Sequence, residues 1–265
     1  LSESEKKYRE ARNALCQNLP FVAEELATIL TKEEPNSEKI LILKGDIAFK
    51  KNLQDEAIEF YAKAKEINPK SSISPHKMAQ VLIKKGKNDV AAALLDIAAE
   101  LNPYHIKLLE NAGISHYNIK NYEKAETYSY KLKKIDKENR SAGEISAKSK
   151  IARGDYGGIV NALRDSHDEQ ELVTFLNNAG VKLAKGNDVL GALKMYEACL
   201  SSLKDSPFLF AVYFNIGIAY RKLGSNEKAY ENFEKSLKLK PDFQKCREAL
   251  IKVTADFEFK NDFLG

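Results

Sequence analysis

The chain has 265 residues, with 42 Lys and Arg against 38 Asp and Glu, no Trp, 7 Pro and 13 Gly. A mixture of 43% hydrophobic and 30% charged residues favours helices over sheets or disorder, and a formal charge of +4 is too small for this length to argue for nucleic acid. No apolar run approaches the roughly 20 residues of a membrane span, and no stretch has the order of a signal peptide. Three cysteines, Cys16, Cys199 and Cys246, are too few and too scattered for a disulfide framework or a zinc site, which points to a reducing, cytoplasmic setting. The chain starts at Leu1 rather than Met, so a leader, tag or preceding domain is expected upstream.

Along the chain the first feature is a period. Pro35, Pro69 and Pro103 each end an apolar helical pattern and are spaced by 34 residues, and Pro241 plays the same part near the end. With that Pro as position 32 of a unit, position 8 is Ala11, Gly45, Ala79 and Gly217, and position 20 is Ala23, Ala57, Ala91 and Ala229. Units without the Pro keep the frame through Gly113 and Ala125, Ala147 and Ile159, and Gly180 and Ala192. Seven units therefore begin near residues 4, 38, 72, 106, 140, 173 and 210. Position 24 brings a larger side chain in most of them: Tyr61, Leu95, Leu163, Tyr196 and Phe233, with Ala27 and Ser129 as exceptions. Two antiparallel helices approach closely only where Gly or Ala replaces a bulky residue, and the neighbouring large side chain seals the crossing.

The unit from 140 departs furthest from the frame. Its Gly154-Asp155-Tyr156-Gly157-Gly158 turn is followed by Ile159 and by a polar loop, Arg164 to Glu169, so a soft joint is expected near 154–172. After Pro241, residues Phe243, Cys246, Leu250, Val253 and Phe257 make one apolar stripe on a final helix, 242–257, that caps the stack.

This pattern resembles the tetratricopeptide repeat family over residues 4 to about 257, most clearly in Asn215, Ile216, Gly217, Tyr220, Gly224, Ala229, Phe233 and Pro241. The resemblance implies an all-α fold, a right-handed superhelical solenoid of antiparallel hairpins with a C-terminal capping helix. The expected organisation is repeats over 1–138, a degenerate repeat and joint over 139–172, and repeats plus cap over 173–265. It also implies that the first helix of each hairpin lines a concave surface through positions 2, 5, 6, 9, 12 and 13. Those positions hold Arg9, Arg12, Lys39, Lys50, Lys77, Lys84, Lys107, Lys148, Lys185, Arg221 and Lys222 against Glu5, Asp46, Glu110 and Glu144, so the face nets 11 − 4, or +7. An acidic protein or peptide partner is the natural expectation.

Position 6 repeats an amide as Asn111, Asn178 and Asn215, and an Asn there can bond the backbone of an extended peptide whatever its sequence. The expected site is thus Asn111, Asn178 and Asn215 with Lys77, Lys107, Lys148, Lys185 and Arg221, and with Phe49, Tyr117 and Phe214 as apolar pockets between the amides.

No catalytic, metal or cofactor site is expected. His76, His105, His116 and His167 have no metal spacing and read as surface residues, and Gly154 to Gly158 lacks the Lys-Ser/Thr ending of a phosphate loop. Cys199 and Cys246 fall at core positions, while Cys16 falls where it could face the groove. The expected function is a non-enzymatic interaction scaffold. The alternatives are the C-terminal sensor or output region of a bacterial response-regulator-like protein, through a looser likeness of Asn177 to Pro241, and RNA binding, which the low charge disfavours. Exposed terminal units leave self-association open.

Overall fold

The computed structural model describes residues 2–203 and 206–262, with side chains as far as residue 255. Among the described residues every regular element is helical. The chain divides into two compact units, residues 1–136 and 137–265. The first holds α1 (Glu3–Cys16), α2 (Pro20–Glu33), α3 (Glu38–Lys50), α4 (Gln54–Ile67), α5 (Ile73–Lys84), α6 (Asn88–Leu101), α7 (Ile106–Asn118) and α8 (Tyr122–Ile135). The second holds α9 (Arg140–Ala152), α10 (Ile159–Leu163), α11 (Glu169–Lys185), α12 (Val189–Ser202), α13 (Phe210–Lys222), α14 (Asn226–Leu239) and α15 (Gln244–Asp262), with a 3-10 turn, Pro207–Leu209, leading into α13.

Seven hairpins follow from one turn used seven times. The residue at position 15 of each unit, Asn18, Asn52, Gly86, Lys120, Gly154, Asn187 or Gly224, has φ between 61° and 76°. The N–H of the next residue then reaches back five residues to a carbonyl: Leu19 to Ala14, Leu53 to Ala48, Lys87 to Leu82, Asn121 to His116, Asp155 to Lys150, Asp188 to Leu183 and Ser225 to Tyr220, all at 2.8–2.9 Å. This left-handed closure satisfies a carbonyl that the helix end would leave unpaired. Gly suits the position because it has no Cβ to be penalised at that φ, Asn because its short polar side chain tolerates the left-handed region, and Lys120 is the outlier.

Within each hairpin the small residue at position 8 is matched to what it meets. A Cβ on Gly45 would stand 2.4 Å from the Tyr61 ring, one on Gly180 2.3 Å from Tyr196, and one on Gly217 2.4 Å from Phe233. Where position 24 carries a ring, position 8 is glycine; where it carries Leu95 or Leu163, position 8 is the alanine Ala79 or Ala147, each fully buried. Between hairpins the cores run on: Ala11, Ala23, Ala27 and Leu30 of the first pack with Ile40, Leu43 and Ile47 of the second.

The hairpin from 140 is shortened rather than merely polar. Its second helix, α10, has five residues, anchored by buried Ile159, Val160 and Leu163. A Cβ on Gly143 would meet Ser166 Oγ at 2.7 Å and Ala162 O at 2.9 Å, so the end of α10 and the turn after it lie directly against α9. Asp168 then caps α11 in a reciprocal box with Glu171, which starts that helix four residues ahead of the frame. The expectation of surface histidines fails here: His167 is 7% exposed and His116 3% exposed.

The capping helix starts at Gln244 and runs to Asp262, longer than 242–257. Cys246, Ala249 and Val253 form its buried stripe, with Phe243 and Leu250 packed alongside; the side chain of Phe257 lies outside the described residues.

Candidate functional site

The first helices of successive hairpins are tied to each other across one face within each unit. In the first unit, Lys77 Nζ on α5 lies 2.8 Å from Asp46 Oδ1 on α3, and that carboxylate also accepts the Tyr61 hydroxyl at 2.7 Å. Lys84 on α5 donates to Asn52 Oδ1 beyond α3 at 2.9 Å, its ammonium 5.1 Å from the centre of the Phe49 ring. Asn111 Nδ2 on α7 meets His76 Nε2 on α5 at 2.9 Å. In the second unit, Asn215 Nδ2 on α13 donates to Asn177 Oδ1 on α11 at 2.8 Å, and Lys222 Nζ reaches Asn187 Oδ1 at 3.0 Å.

These bonds separate the three asparagines. Asn111 and Asn215, at position 6, bond position 5 of the preceding hairpin and act as rungs between repeats. Asn178, also at position 6, is exposed and lines a shallow cavity of about 310 Å³ with Arg140, His167, Gln170, Thr174 and Phe175. The aromatic residues separate too. The Phe214 ring lies 5.0 Å from that of Phe243 and 5.8 Å from that of Phe233, so it belongs to the core under α15 and forms no pocket of its own. Phe49 is half-buried beneath Lys84, and half-buried Tyr117 lies 5.7 Å from Tyr122.

Every carboxylate assigned to this face by position is in an ion pair with a base of the same face: Glu5 with Arg9 at 3.6 Å, Asp46 with Lys77, Glu110 with Lys107 at 3.1 Å, and Glu144 with Lys148 at 2.7 Å. Lys185 is exposed and Arg221 half-buried at the C-terminal end of their helices.

His76 is held neutral. Its own burial, then the neighbouring His105 ring and the charges of Lys77 and Lys107, push it down to about 4. With Asn111 donating to Nε2, the ring carries its proton on Nδ1.

A second polar cluster, on α6, α7 and α8, went unread in the sequence because its members lie 20 and 32 residues apart. Asp96 Oδ1 accepts from His116 Nε2 at 2.7 Å and from the Tyr128 hydroxyl at 2.6 Å, and Oδ2 accepts from Lys124 Nζ at 2.7 Å. Burial raises the Asp96 carboxyl, but the bonds from Lys124, Tyr128 and His116 outweigh it and hold the group below the usual carboxylate range. All four groups are engaged with one another, so the cluster ties adjacent hairpins together. Burial pushes Cys199 up to about 12, an inert core thiol, and raises Cys246 as well. Among the described residues no group of three or more His, Cys, Asp or Glu could hold a metal ion, and no helix is long and apolar enough to cross a membrane.

Hairpins closed by one left-handed turn, crossed at one small residue and tied along one face define an all-α helical-repeat protein. The tetratricopeptide repeat model matches residues 38–71, 76–138 and 210–243, and the chain belongs to that family. The hairpins outside those matches carry the same position-15 turn. A tetratricopeptide repeat protein from Parabacteroides merdae ATCC 43184 is similar in fold, with a TM-score of 0.57 at 17% identity over 95% of this chain and 98% of that one. The Naa15/Naa10 structure bound to HypK-THB gives 0.60 at 16% identity over 96% of this chain and 39% of that one. MamA from Desulfovibrio magneticus RS-1, residues 41 to the end, gives 0.53 at 17% identity over 63% of this chain and 98% of that one. At these identities the likeness speaks for the fold. No curated protein matches in sequence.

Proposed function

We propose that the chain is a non-enzymatic scaffold that holds a segment of a partner protein along the first-helix faces of its hairpins, and that this segment is acidic. The observation that carries the reading is the net charge of that face. In the first unit the face holds seven bases (Arg9, Arg12, Lys39, Lys50, Lys77, Lys84, Lys107) and three acids (Glu5, Asp46, Glu110), 7 − 3 = +4; in the second it holds four (Lys148, Lys185, Arg221, Lys222) and one (Glu144), 4 − 1 = +3. All four carboxylates pair with bases of the same face, so each pair is neutral and the remaining bases set the sign of the face in both units. Such a surplus steers and retains an acidic segment, more strongly at low salt. Exposed Asn178 supplies an amide able to both donate to and accept from an extended backbone.

The test is capture from native lysate by the wild-type chain beside Asn178→Ala/Lys185→Ala/Arg221→Ala, with helicity checked by circular dichroism. A partner held by the wild type, lost by the variant and weakened as salt rises supports the reading. A partner retained equally by both moves the site off this face.

A further inference from the structure

The charge surplus says nothing about which side chains a bound segment inserts between its carboxylates. Outward-pointing aliphatic residues on α5 and α7 supply that information. Ile83, at position 12 of its unit, is 36% exposed and Ile114, at position 9 of the next, is 43% exposed. They stand 31 residues apart on consecutive first helices (114 − 83), the same separation as Asp46 and Lys77 (77 − 46), which are in direct contact one hairpin earlier. Repeat symmetry therefore sets Ile83 beside Ile114, one turn further along the helices than the ion pair. Tyr117, three residues after Ile114, extends the strip on the same helix face. On the other side Lys84 arches over Phe49, and Lys50 follows it, exposed at the end of α3. The carboxylates nearest to this strip by position are already taken, Asp46 by Lys77 and Tyr61, Glu110 by Lys107. More than a third of each isoleucine stays in water, apolar area that a partner side chain can still bury.

We propose that this strip takes bulky apolar side chains from the partner segment, with Ile83, Ile114 and Tyr117 as their seat and Lys50 and Lys84 pairing with acidic residues between them. The partner chemistry is thus an acidic segment punctuated by large aliphatic or aromatic residues, as distinct from a uniformly acidic tail. This rests on the scaffold reading above.

The probes are three fluorescein-labelled twelve-residue peptides, triple repeats of Glu-Leu-Asp-Phe, Glu-Ser-Asp-Ser and Lys-Leu-Lys-Phe, followed by anisotropy on the full chain. The first is expected to bind about tenfold tighter than either of the others: over the serine peptide because part of two isoleucines and one ring is buried, and over the lysine peptide because Lys50 and Lys84 attract its carboxylates and repel lysines. Ile83→Ser/Ile114→Ser should erase its advantage over the serine peptide. Lys50→Glu/Lys84→Glu should erase its advantage over the lysine peptide, and this variant keeps the test decisive if the serine variant loses helicity. Three peptides within about threefold of one another on the wild type, or preferences that survive both variants, overturn the proposal. Failure of the scaffold reading looks different: the lysate partner would ignore first-helix-face variants while the peptides still obeyed the strip.

Discussion

Gly180 and Tyr196 fit by subtraction: a Cβ on Gly180 would stand 2.3 Å from Cε1 of a ring that is 1% exposed. The ring is locked in the core and cannot swing aside, so Gly180→Ala should cost about 1–3 kcal/mol in urea unfolding. The alanine-with-leucine crossings of Ala79 with Leu95 and Ala147 with Leu163 show how the same frame tolerates a methyl group. Gly180→Ala/Tyr196→Leu should therefore be more stable than the sum of its single variants predicts. Strict additivity would mean that the crossing is not set by this pair.

Lys120 is the one position-15 residue that is neither Gly nor Asn, and it holds φ of 62°. Its side chain is exposed, so nothing else is lost when it is replaced. Lys120→Gly should stabilise the chain by about 0.5–1 kcal/mol, the relief of left-handed strain less the extra entropy of the unfolded chain. A thermal midpoint that falls instead would show that the turn is not strained.

These two positions mark what could be read from the sequence. Spacing of proline and of small residues placed seven hairpins and their crossings, because a backbone close approach dictates residue size directly. The shortened α10 escaped because its cause is tertiary: the 162–166 segment lies against α9 at Gly143, and only coordinates reveal that contact. The burial of His116 and His167 escaped for the same reason, their partners Asp96 and Ser166 being set by packing between helices and by the turn after α10. On the face itself, the frame named the residues but could not say that Phe214 packs under α15 or that two of the three amides bond within the protein.

His76 gives the protein an acid sensitivity with a definite sign. Its folded value of about 4 lies below the ordinary 6.5, so between those values the unfolded chain binds the proton and the folded chain does not. The stability tied to the neutral ring is fully present above about 6.5 and is lost as pH falls towards 4. The loss should be about 1–2 kcal/mol, less than a shift of that size implies in full, because a half-buried ring is partly screened by solvent. Urea midpoints of the wild type and His76→Gln, compared at pH 7 and pH 4.5, check it: the glutamine variant should lose less on acidification. Equal losses would place the acid sensitivity elsewhere.

Asn178 and Asn215 share a frame position and should part company on substitution. Asn215→Ala removes the donor to Asn177 at 2.8 Å from a half-buried site and leaves Asn177 Oδ1 without that bond, so it should cost about 0.5–1.5 kcal/mol. Asn178→Ala removes an exposed amide and should stay within about 0.5 kcal/mol of wild type. Binding should reverse the order of specificity: Asn178→Ala weakens partner capture in a fully folded chain, whereas any loss in Asn215→Ala tracks its unfolding midpoint and is recovered on cooling or by a stabilising Lys120→Gly background. Chemical denaturation and capture measured on the same preparations separate the two. Equal stability costs at both positions would mean that Asn178 is a rung between repeats like Asn215, and the exposed amide would have to be struck from the binding face.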